Sequence, residues 1–300
     1  MEQHQTKVSS QKNWYDKSYK VLLFIPVALL VLSFIYLFMF YQDNGDFIRK
    51  DVSLTGGTSI SLFDENIDKE QIIDALEQKF PDIGVRTISD IITGKQIGLV
   101  IETKAEVEPV KVALQEAIGY ELNEDNSSIE FSGSSLSSGF YKQLRFALVL
   151  AFVLMAIVVF IIFRSFAPSI AVVFAAFSDI VMTIATVNLM GMDLSAAGIV
   201  ALLMLIGYSV DTDILLTTRM LKGEESSLNA RIFGALKTGM TMTLAAIAAV
   251  VVSLLITYNV SEVLKQTFEI ILIGLIFDIM NTWLTNASIL KWYMEVKGLR

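Results

Sequence analysis

The chain has no cysteine among its 300 residues and a single histidine, His4. Without cysteine, disulfide bonds and thiolate metal sites are excluded, so any folded domain depends on burial alone. One histidine in a polar N-terminal segment cannot build a histidine metal site or a catalytic triad, and we expect it to be solvated. Basic residues are also few: 23 Lys and Arg against 31 Asp and Glu leave a net charge of −8. This balance argues against nucleic acid as a partner, because phosphate binding needs clustered positive charge.

Other common site signatures are missing as well. The chain has no Walker lysine and no visible nucleophile–base pair. Gly56-Gly57 is too short for a nucleotide-binding loop, and we expect glycine there to permit a turn or a close backbone approach. The sequence therefore predicts no cofactor, no metal and no enzymatic reaction.

Apolar residues, in contrast, are abundant and gathered into blocks. They make up 54% of the chain, and the mean hydropathy of +0.59 exceeds that of an ordinary soluble domain. Six blocks of about twenty residues match the length that crosses a hydrocarbon core of roughly 30 Å. The blocks are 21–41, 144–163, 168–190, 195–216, 238–258 and 266–290. We predict a six-helix transmembrane bundle, with five of the helices within 143–290. A cleavable signal peptide is the alternative for the first block, but no small-residue cleavage site follows it.

Orientation follows from the lysines and arginines of the short connecting segments. With the N-terminus inside, the basic residues of the inner segments are Lys7, Lys12, Lys17, Lys20, Arg164, Arg219, Lys222, Arg231, Lys237, Lys291, Lys297 and Arg300. The short outer loops carry only Lys265. We therefore predict a cell-membrane protein with cytoplasmic tails at 1–20 and 291–300 and a large extracytoplasmic segment at 42–142.

The segment 42–142 has the composition of a folded α+β domain. Strand-like stretches lie at 58–63, 85–92, 96–103 and 128–131, and amphipathic helices lie at 68–80 and 106–118, with a turn at 93–94. This βαββαβ order is typical of a ferredoxin-like sandwich. The following Ser132–Gly139 (SGSSLSSG) has the composition of a flexible linker, which would act as a hinge for the domain.

Several short motifs resemble one family. The motif residues are Thr55, Gly56, Gly57 and Thr58 after the first block, Ser178 and Asp179 in the third, and Gly207, Tyr208 and Ser209 in the fourth. The first motif is similar to the glycine-threonine signature of SecD and SecF proteins. The last resembles the Gly-Tyr-Ser motif of the SecF branch, and 214–219 looks like its archaeal members. The layout of one span, an outer domain and five further spans also resembles this SecD/SecF family.

The resemblance implies a fold related to the RND transporters and a role in protein export. It implies a heteromeric complex with SecD that assists the Sec translocon in moving exported polypeptides, driven by the proton gradient. The sequence departs from the bacterial pattern at three places. Ser53 stands where bacterial members have aspartate, Thr212 stands at the position of their fourth-span aspartate, and Lys237 replaces an arginine.

Ionisable residues within the predicted spans are candidate functional sites, because a charge in lipid is costly unless it faces the bundle or water. Asp179 lies mid-span with Thr183 and Thr186 at helical spacing. We favour a proton site there over a packing role. Asp278 begins a polar face with Asn281, Thr282 and Thr285. For Asp278 we favour helix packing or a partner contact, with proton relay as the alternative.

Asp211 and Asp213 point about 200° apart on a helix and cannot form one pair. Asp211, which shares a face with Gly207 and Tyr208, is the interior candidate, and Asp213 is either interior or interfacial. We therefore expect Asp179 and Asp211 to be the proton-responsive pair. Lys237 is expected to be a positive-inside anchor, with charge relay as the alternative.

Two other functions remain open at this point. A chain of this kind could export a small molecule or lipid in the manner of RND transporters, although those usually have twelve spans and two outer domains. It could also be a scaffold without transport activity, in which case the intramembrane aspartates would tolerate neutral replacement.

Overall fold

The structure is a computed structural model that describes the backbone of residues 2–90, 93, 95–223, 227–258 and 262–298, with side chains except at 2–14, 134–135 and 262. The helices are α1 (Glu2–Asn44), α2 (Val52–Thr55), α3 (Lys69–Leu76), α4 (Val107–Ile118), α5 (Ser134–Phe163), α6 (Phe166–Leu189), α7 (Ala196–Lys222), α8 (Leu228–Thr257), α9 (Glu262–Met280) and α10 (Ala287–Val296). The strands are β1 (Gly57–Leu62), β2 (Gly84–Ser89), β3 (Gln96–Thr103) and β4 (Ser127–Ser132). The His4 side chain, the loop at 259–261 and parts of the predicted strand end and turn at 91–94 lie outside the described residues.

Five helices of the described chain are long and apolar enough to cross a membrane: α1, α5, α6, α7 and α8. The segment predicted as a sixth span, 266–290, does not form one regular helix. It is divided among α9, a π-helical turn at Asn281–Asn286 and α10. The predicted tail at 1–20 is helical as well, because α1 extends without a break from Glu2 to Asn44.

The bundle has a buried centre and an exposed periphery. Most residues in the apolar stretches of α6 and α7 are buried, whereas few are buried in those of α1, α5 and α8. Close packing of α7 against α9 depends on Gly274, where an added Cβ would lie 2.2 Å from Leu205 Cδ2. The central helices therefore contact each other, and the outer ones present apolar side chains to their surroundings.

The four strands form one antiparallel sheet in the order β2-β3-β1-β4. Alternation along the strands sends one set of side chains toward α3 and α4, where Ile60, Leu62, Leu99 and Ile101 are buried. The opposite face of the sheet lines a cavity of about 430 Å³ against the outer ends of the bundle helices. The predicted strands and both amphipathic helices of this domain are thus confirmed to within a few residues.

The predicted flexible linker at Ser132–Gly139 is wrong. Strand β4 ends at Ser132 and α5 begins at Ser134, so Gly133 is the single residue between them. The Ser137 N–H donates to the Gly133 carbonyl at 2.9 Å, and the Ser132 and Ser137 hydroxyls lie 2.6 Å apart. Serine is common in linkers, but here Ser134–Gly139 forms the first part of the apolar helix α5.

Hydrogen bonds attach the segment that leads from α1 into the sheet domain to the bundle. The Leu194 N–H, between α6 and α7, donates to the Arg49 carbonyl at 2.7 Å, and the Asp51 N–H donates to the Leu194 carbonyl at 3.2 Å. The Ala196 N–H donates to the Ser53 hydroxyl at 2.9 Å. The chain leaving α1 is therefore fixed against the start of α7.

A candidate functional site in the helical bundle

A cluster of polar side chains lies in the centre of the bundle, where α6, α7 and the α9–α10 segment meet. Asp179 of α6 is 0% exposed. Its carboxylate accepts from the Ser209 hydroxyl at 2.5 Å and from the Asn281 amide at 2.7 Å. The Thr183 hydroxyl donates to the backbone carbonyl of Asp179 at 2.6 Å, so it stabilises the helix instead of the carboxyl group. The prediction that Asp179 is an interior residue is confirmed.

Asp213 of α7 and Asp278 of α9 belong to the same cluster and are also buried. Asp213 accepts from the Asn286 amide at 2.7 Å and from the Thr282 hydroxyl at 2.9 Å. The Thr282 hydroxyl also lies 3.1 Å from Asp278, and the Thr212 hydroxyl lies 3.2 Å from it. The Thr282 hydroxyl thus connects Asp213 with Asp278. Thr212 connects Asp278 with the Ser209 carbonyl, and the Ser209 hydroxyl contacts Asp179.

These contacts have a consequence for the protons of the cluster. A hydroxyl group has one proton and can donate to one acceptor at a time. The Thr282 hydroxyl contacts two carboxyl groups, and the Thr212 hydroxyl contacts both Asp278 and the Ser209 carbonyl, at 2.9 Å. A carboxyl group in the cluster that also donates would satisfy all of these contacts together. In the described part of the chain no lysine or arginine forms an ion pair with these aspartates.

The π-helical turn explains why so many polar residues of one segment face inward. A π-helical turn inserts an extra residue and shifts the helical phase. In this segment the residues on the inner side are Asp278, Asn281, Thr282, Thr285, Asn286, Ser288 and Lys291, each at most 1% exposed. The sequence predicted the first four as a polar face. The last three were not predicted, because a regular α-helical period does not place them on that face. The signal in the sequence that could have indicated a longer polar face is the high density of Asn and Thr in this segment.

The prediction that Asp211 is the interior acid of α7 is wrong. Asp211 is exposed on the surface of the chain, together with Gly207 and Tyr208, whereas Ser209, Thr212 and Asp213 are buried. Asp211 and Asp213 do point in opposite directions, but the inward face is the one that carries Ser209. Lys237 is exposed too, and lies in the third turn of α8, which begins ten residues earlier than its predicted span.

The glycine-threonine motif has a structural explanation in the sheet domain. Gly56 ends α2 with φ 85°, and Gly57 has φ 136°, where an added Cβ would lie 2.2 Å from the Thr103 carbonyl oxygen. The Thr55 hydroxyl donates to the Asp51 carbonyl at 2.9 Å, and the buried Thr58 hydroxyl donates to Ala105 at 2.7 Å. The motif therefore builds the turn from α2 into β1.

A second group of acids lies where the sheet domain contacts the bundle. The Arg86 guanidinium contacts Glu102 at 2.6 Å and Asp193 at 3.3 Å, and Arg49 contacts Asp193 at 3.1 Å. Burial raises the pKa of the Glu102 carboxyl, and Arg86 offsets part of this effect. Burial likewise raises the pKa of the nearby Asp51 carboxyl, against the hydrogen bonds from Ser53. These residues connect β2, β3 and the α6–α7 loop.

Known proteins resemble this chain over nearly its whole length. Residues 110–296 match the family described as protein export membrane protein SecD/SecF, C-terminal. The chain belongs to the SecD/SecF family. Protein-export membrane proteins named SecF from Methanothermobacter thermautotrophicus, Methanocaldococcus jannaschii and Pyrococcus furiosus are 38%, 39% and 34% identical to it. These alignments cover 92–94% of this chain and 91–96% of the relatives.

A solved structure shares the fold of this SecD/SecF family member. The crystal structure of SecDF, a translocon-associated membrane protein from Thermus thermophilus, superposes with a TM-score of 0.77 at 17% sequence identity. The superposition covers 93% of this chain and 38% of SecDF. A second SecDF structure, in a super-membrane-facing form, gives a TM-score of 0.57. The family resemblance inferred from the Gly-Tyr-Ser and glycine-threonine motifs is thus confirmed.

Proposed function

We propose that this SecD/SecF family member is an auxiliary membrane subunit of the Sec protein-export machinery. It acts with SecD to assist the translocon in moving polypeptides across the cytoplasmic membrane, and its role is not enzymatic. The role in protein export is inferred from membership of the SecD/SecF family. The observation that supports a part in energy coupling is the buried polar cluster with three carboxyl groups at the centre of the bundle.

In the proposed topology, α9, the π-helical turn and α10 together form a sixth span. The seven inward polar residues of this segment then face other helices, which membrane burial requires. The positive-inside rule puts both tails in the cytoplasm and the sheet domain outside. The sheet order β2-β3-β1-β4 with βαββαβ chain order supports a ferredoxin-like fold for that domain.

The proton-responsive residues of the proposal are Asp179, Asp213 and Asp278. They are connected by hydroxyl and amide groups, which donate and accept without fixing a permanent charge. A proton entering or leaving the cluster changes which of these contacts donate, and hence the packing of α6, α7 and α9. The proposal thus replaces Asp211 by Asp213 as the partner of Asp179, and gives Asp278 a relay role in place of a packing role.

The exposed polar side chains on α7 and α8 support a surface for SecD. Tyr208 and Asp211 on α7 and Lys237 on α8 are exposed on the isolated chain. An aspartate within a span is costly against lipid, so the proposed partner helix carries polar groups that meet it. This contact is distinct from the buried cluster, which belongs to this chain alone.

The experiment is protein export driven by a proton gradient, measured with the SecD-containing complex in proteoliposomes. We expect the double variant Asp179→Asn, Asp213→Asn to reduce the proton-dependent part of export by about tenfold or more, as expected for loss of proton-transfer groups. Recovery of SecD with the variant should stay normal. Asp125→Asn, at an exposed acid of the sheet domain, is the control. Export at the wild-type rate in the double variant would refute the proposal and favour a scaffold.

A further inference from the structure

The buried polar stripe does not end at the carboxyl cluster. It continues along the π-helical turn and α10, through Asn286 and Ser288, to Lys291, which is 1% exposed. The Ser288 hydroxyl donates to the Tyr19 carbonyl of α1 at 3.1 Å. The stripe thus extends from the centre of the bundle to the end that carries both chain termini.

Lys291 lies at the end of this stripe and contacts the first part of α1. Its ammonium lies 4.6 Å from the centre of the Tyr15 ring and 5.1 Å from that of Tyr19. It donates to the Asn229 side-chain oxygen at 2.5 Å and forms an ion pair with Asp16. The Asp16 side chain is 47% exposed. The buried lysine is therefore one ion pair away from bulk solvent.

Between the carboxyl cluster and this ion pair lie buried polar atoms that no described residue satisfies. They are Asp213 Oδ2, Thr217 Oγ1, Asn286 Oδ1 and Trp283 Nε1. Thr217 follows Asp213 by one turn of α7, on the side toward Lys222, and Asn286 contacts Asp213 through its amide nitrogen. Buried polar groups are almost always paired with protein or ordered water. Asp213, Thr217 and Asn286 are neighbours by this contact and spacing, and their unpaired atoms therefore indicate a site for water.

We propose that these groups line a hydrated pathway from Asp213 to the cytoplasmic surface, closed at its mouth by the Lys291–Asp16 ion pair. Water bridges Asp213, Thr217 and Asn286, and carries a proton between the Asp213 carboxyl and bulk solvent by breaking one O–H bond as it forms another. The direction of proton movement along the pathway, and its use in export, rest on the proposed function.

The absence of cysteine makes the pathway directly testable by single cysteines. Ag⁺ is about the size of water and reacts with a water-exposed thiol, which then resists a maleimide applied after denaturation. In inverted membrane vesicles containing the SecD complex, we expect Thr217→Cys and Ser288→Cys to be protected by Ag⁺. Leu216→Cys, a neighbouring position that is 0% exposed in an apolar cluster, should not be.

The Lys291–Asp16 ion pair at the cytoplasmic mouth of the pathway allows a second experiment. Lys291→Met, which removes the ion pair and its positive charge, should make Ag⁺ react with Thr217→Cys about tenfold faster, whereas Lys17→Met, at an exposed lysine of α1, should leave the rate unchanged. Equal protection at positions 216, 217 and 288, or none at any of them in a complex that still contains SecD, would overturn the pathway.

The export experiment separates this inference from the function on which it rests. If Asp179→Asn, Asp213→Asn abolishes proton-driven export but Ag⁺ does not reach position 217, the pathway is wrong and the function stands. If Ag⁺ reaches position 217 but the double variant exports normally, the pathway is real and the proton-coupled function is wrong.

Discussion

The chain holds two groups of buried or half-buried acids, and they are stabilised in opposite ways. Where the sheet domain meets the bundle, Glu102 and Asp193 share the Arg86 guanidinium. In the centre of the bundle, Asp179, Asp213 and Asp278 contact only hydroxyl and amide groups among the described residues. An ion pair fixes charge in place, whereas a hydroxyl or amide contact is compatible with a carboxyl that gains or loses a proton. The outer group is suited to attachment and the inner group to switching.

The strongest way to break the inner arrangement is to separate α7 from α9. In Gly274→Ala the added Cβ would lie 2.2 Å from Leu205 Cδ2, so either the buried Leu205 side chain or the two helices must shift. Overpacking of this kind costs about 1–3 kcal/mol. We expect a lower temperature of thermal unfolding and a loss of export, with the outer ion pairs intact. Gly139→Ala, where nothing lies within 4 Å, is the control and should be neutral or stabilising. An unchanged unfolding temperature in Gly274→Ala would contradict the packing described here.

A smaller effect is expected from removing the cation of the outer group. Arg86→Met leaves Glu102 without its cation and Asp193 with Arg49 alone. Because both acids are partly exposed, we expect a loss of about 1 kcal/mol. Hydrogen exchange of the Asp51 and Leu194 amides, which join the sheet domain to the bundle, should speed up. The matched variant Lys79→Met, which breaks an exposed ion pair with Glu116, should leave those amides unaffected. Unchanged slow exchange of the Asp51 and Leu194 amides in Arg86→Met would show that the backbone hydrogen bonds alone hold the sheet domain on the bundle.

The smallest expected effect is the pH dependence of this attachment. Because burial raises the pKa of Glu102 and of Asp51, protonation of these residues favours the attached state. That stabilisation is complete below the ordinary values near 4.5 and 3.8 and is lost as the pH rises through the raised pKa values. The protection of the Asp51 and Leu194 amides, measured as their exchange rate relative to that of an unstructured peptide at the same pH, should therefore be greater in acid. Glu102→Gln should reduce this difference between low and high pH. An equal difference in the variant would mean that other groups cause the pH dependence.

Much of the fold could be predicted from the sequence, because the relevant signals are local. Apolar blocks of membrane length and alternation in β1 and β3 depend on neighbouring residues alone. The failures have a common cause. Ser134–Gly139 has a linker composition, yet it continues an apolar helix, and 266–290 contains a π-helical turn that the regular period does not reveal. In both places, contacts with other parts of the chain override the local pattern.

The site was only partly predictable for the same reason. Asp179 and Asp278 could be found because any acid deep in a span must face other helices. The choice between Asp211 and Asp213 could not be made, because two opposite faces of α7 both carry polar residues and only the packed neighbours decide which is inward. Lys291 was placed in a solvated tail because its partner, Asp16, is 275 residues away.

Proton exchange at the buried carboxyl groups can be measured by infrared difference spectroscopy of the SecD-containing complex. When the pH of the medium is changed, we expect a change in the carbonyl stretch of protonated carboxyl groups. This change should be lost in the variant Asp179→Asn, Asp213→Asn and retained in Asp211→Asn. The same spectral change in all three proteins would contradict the account.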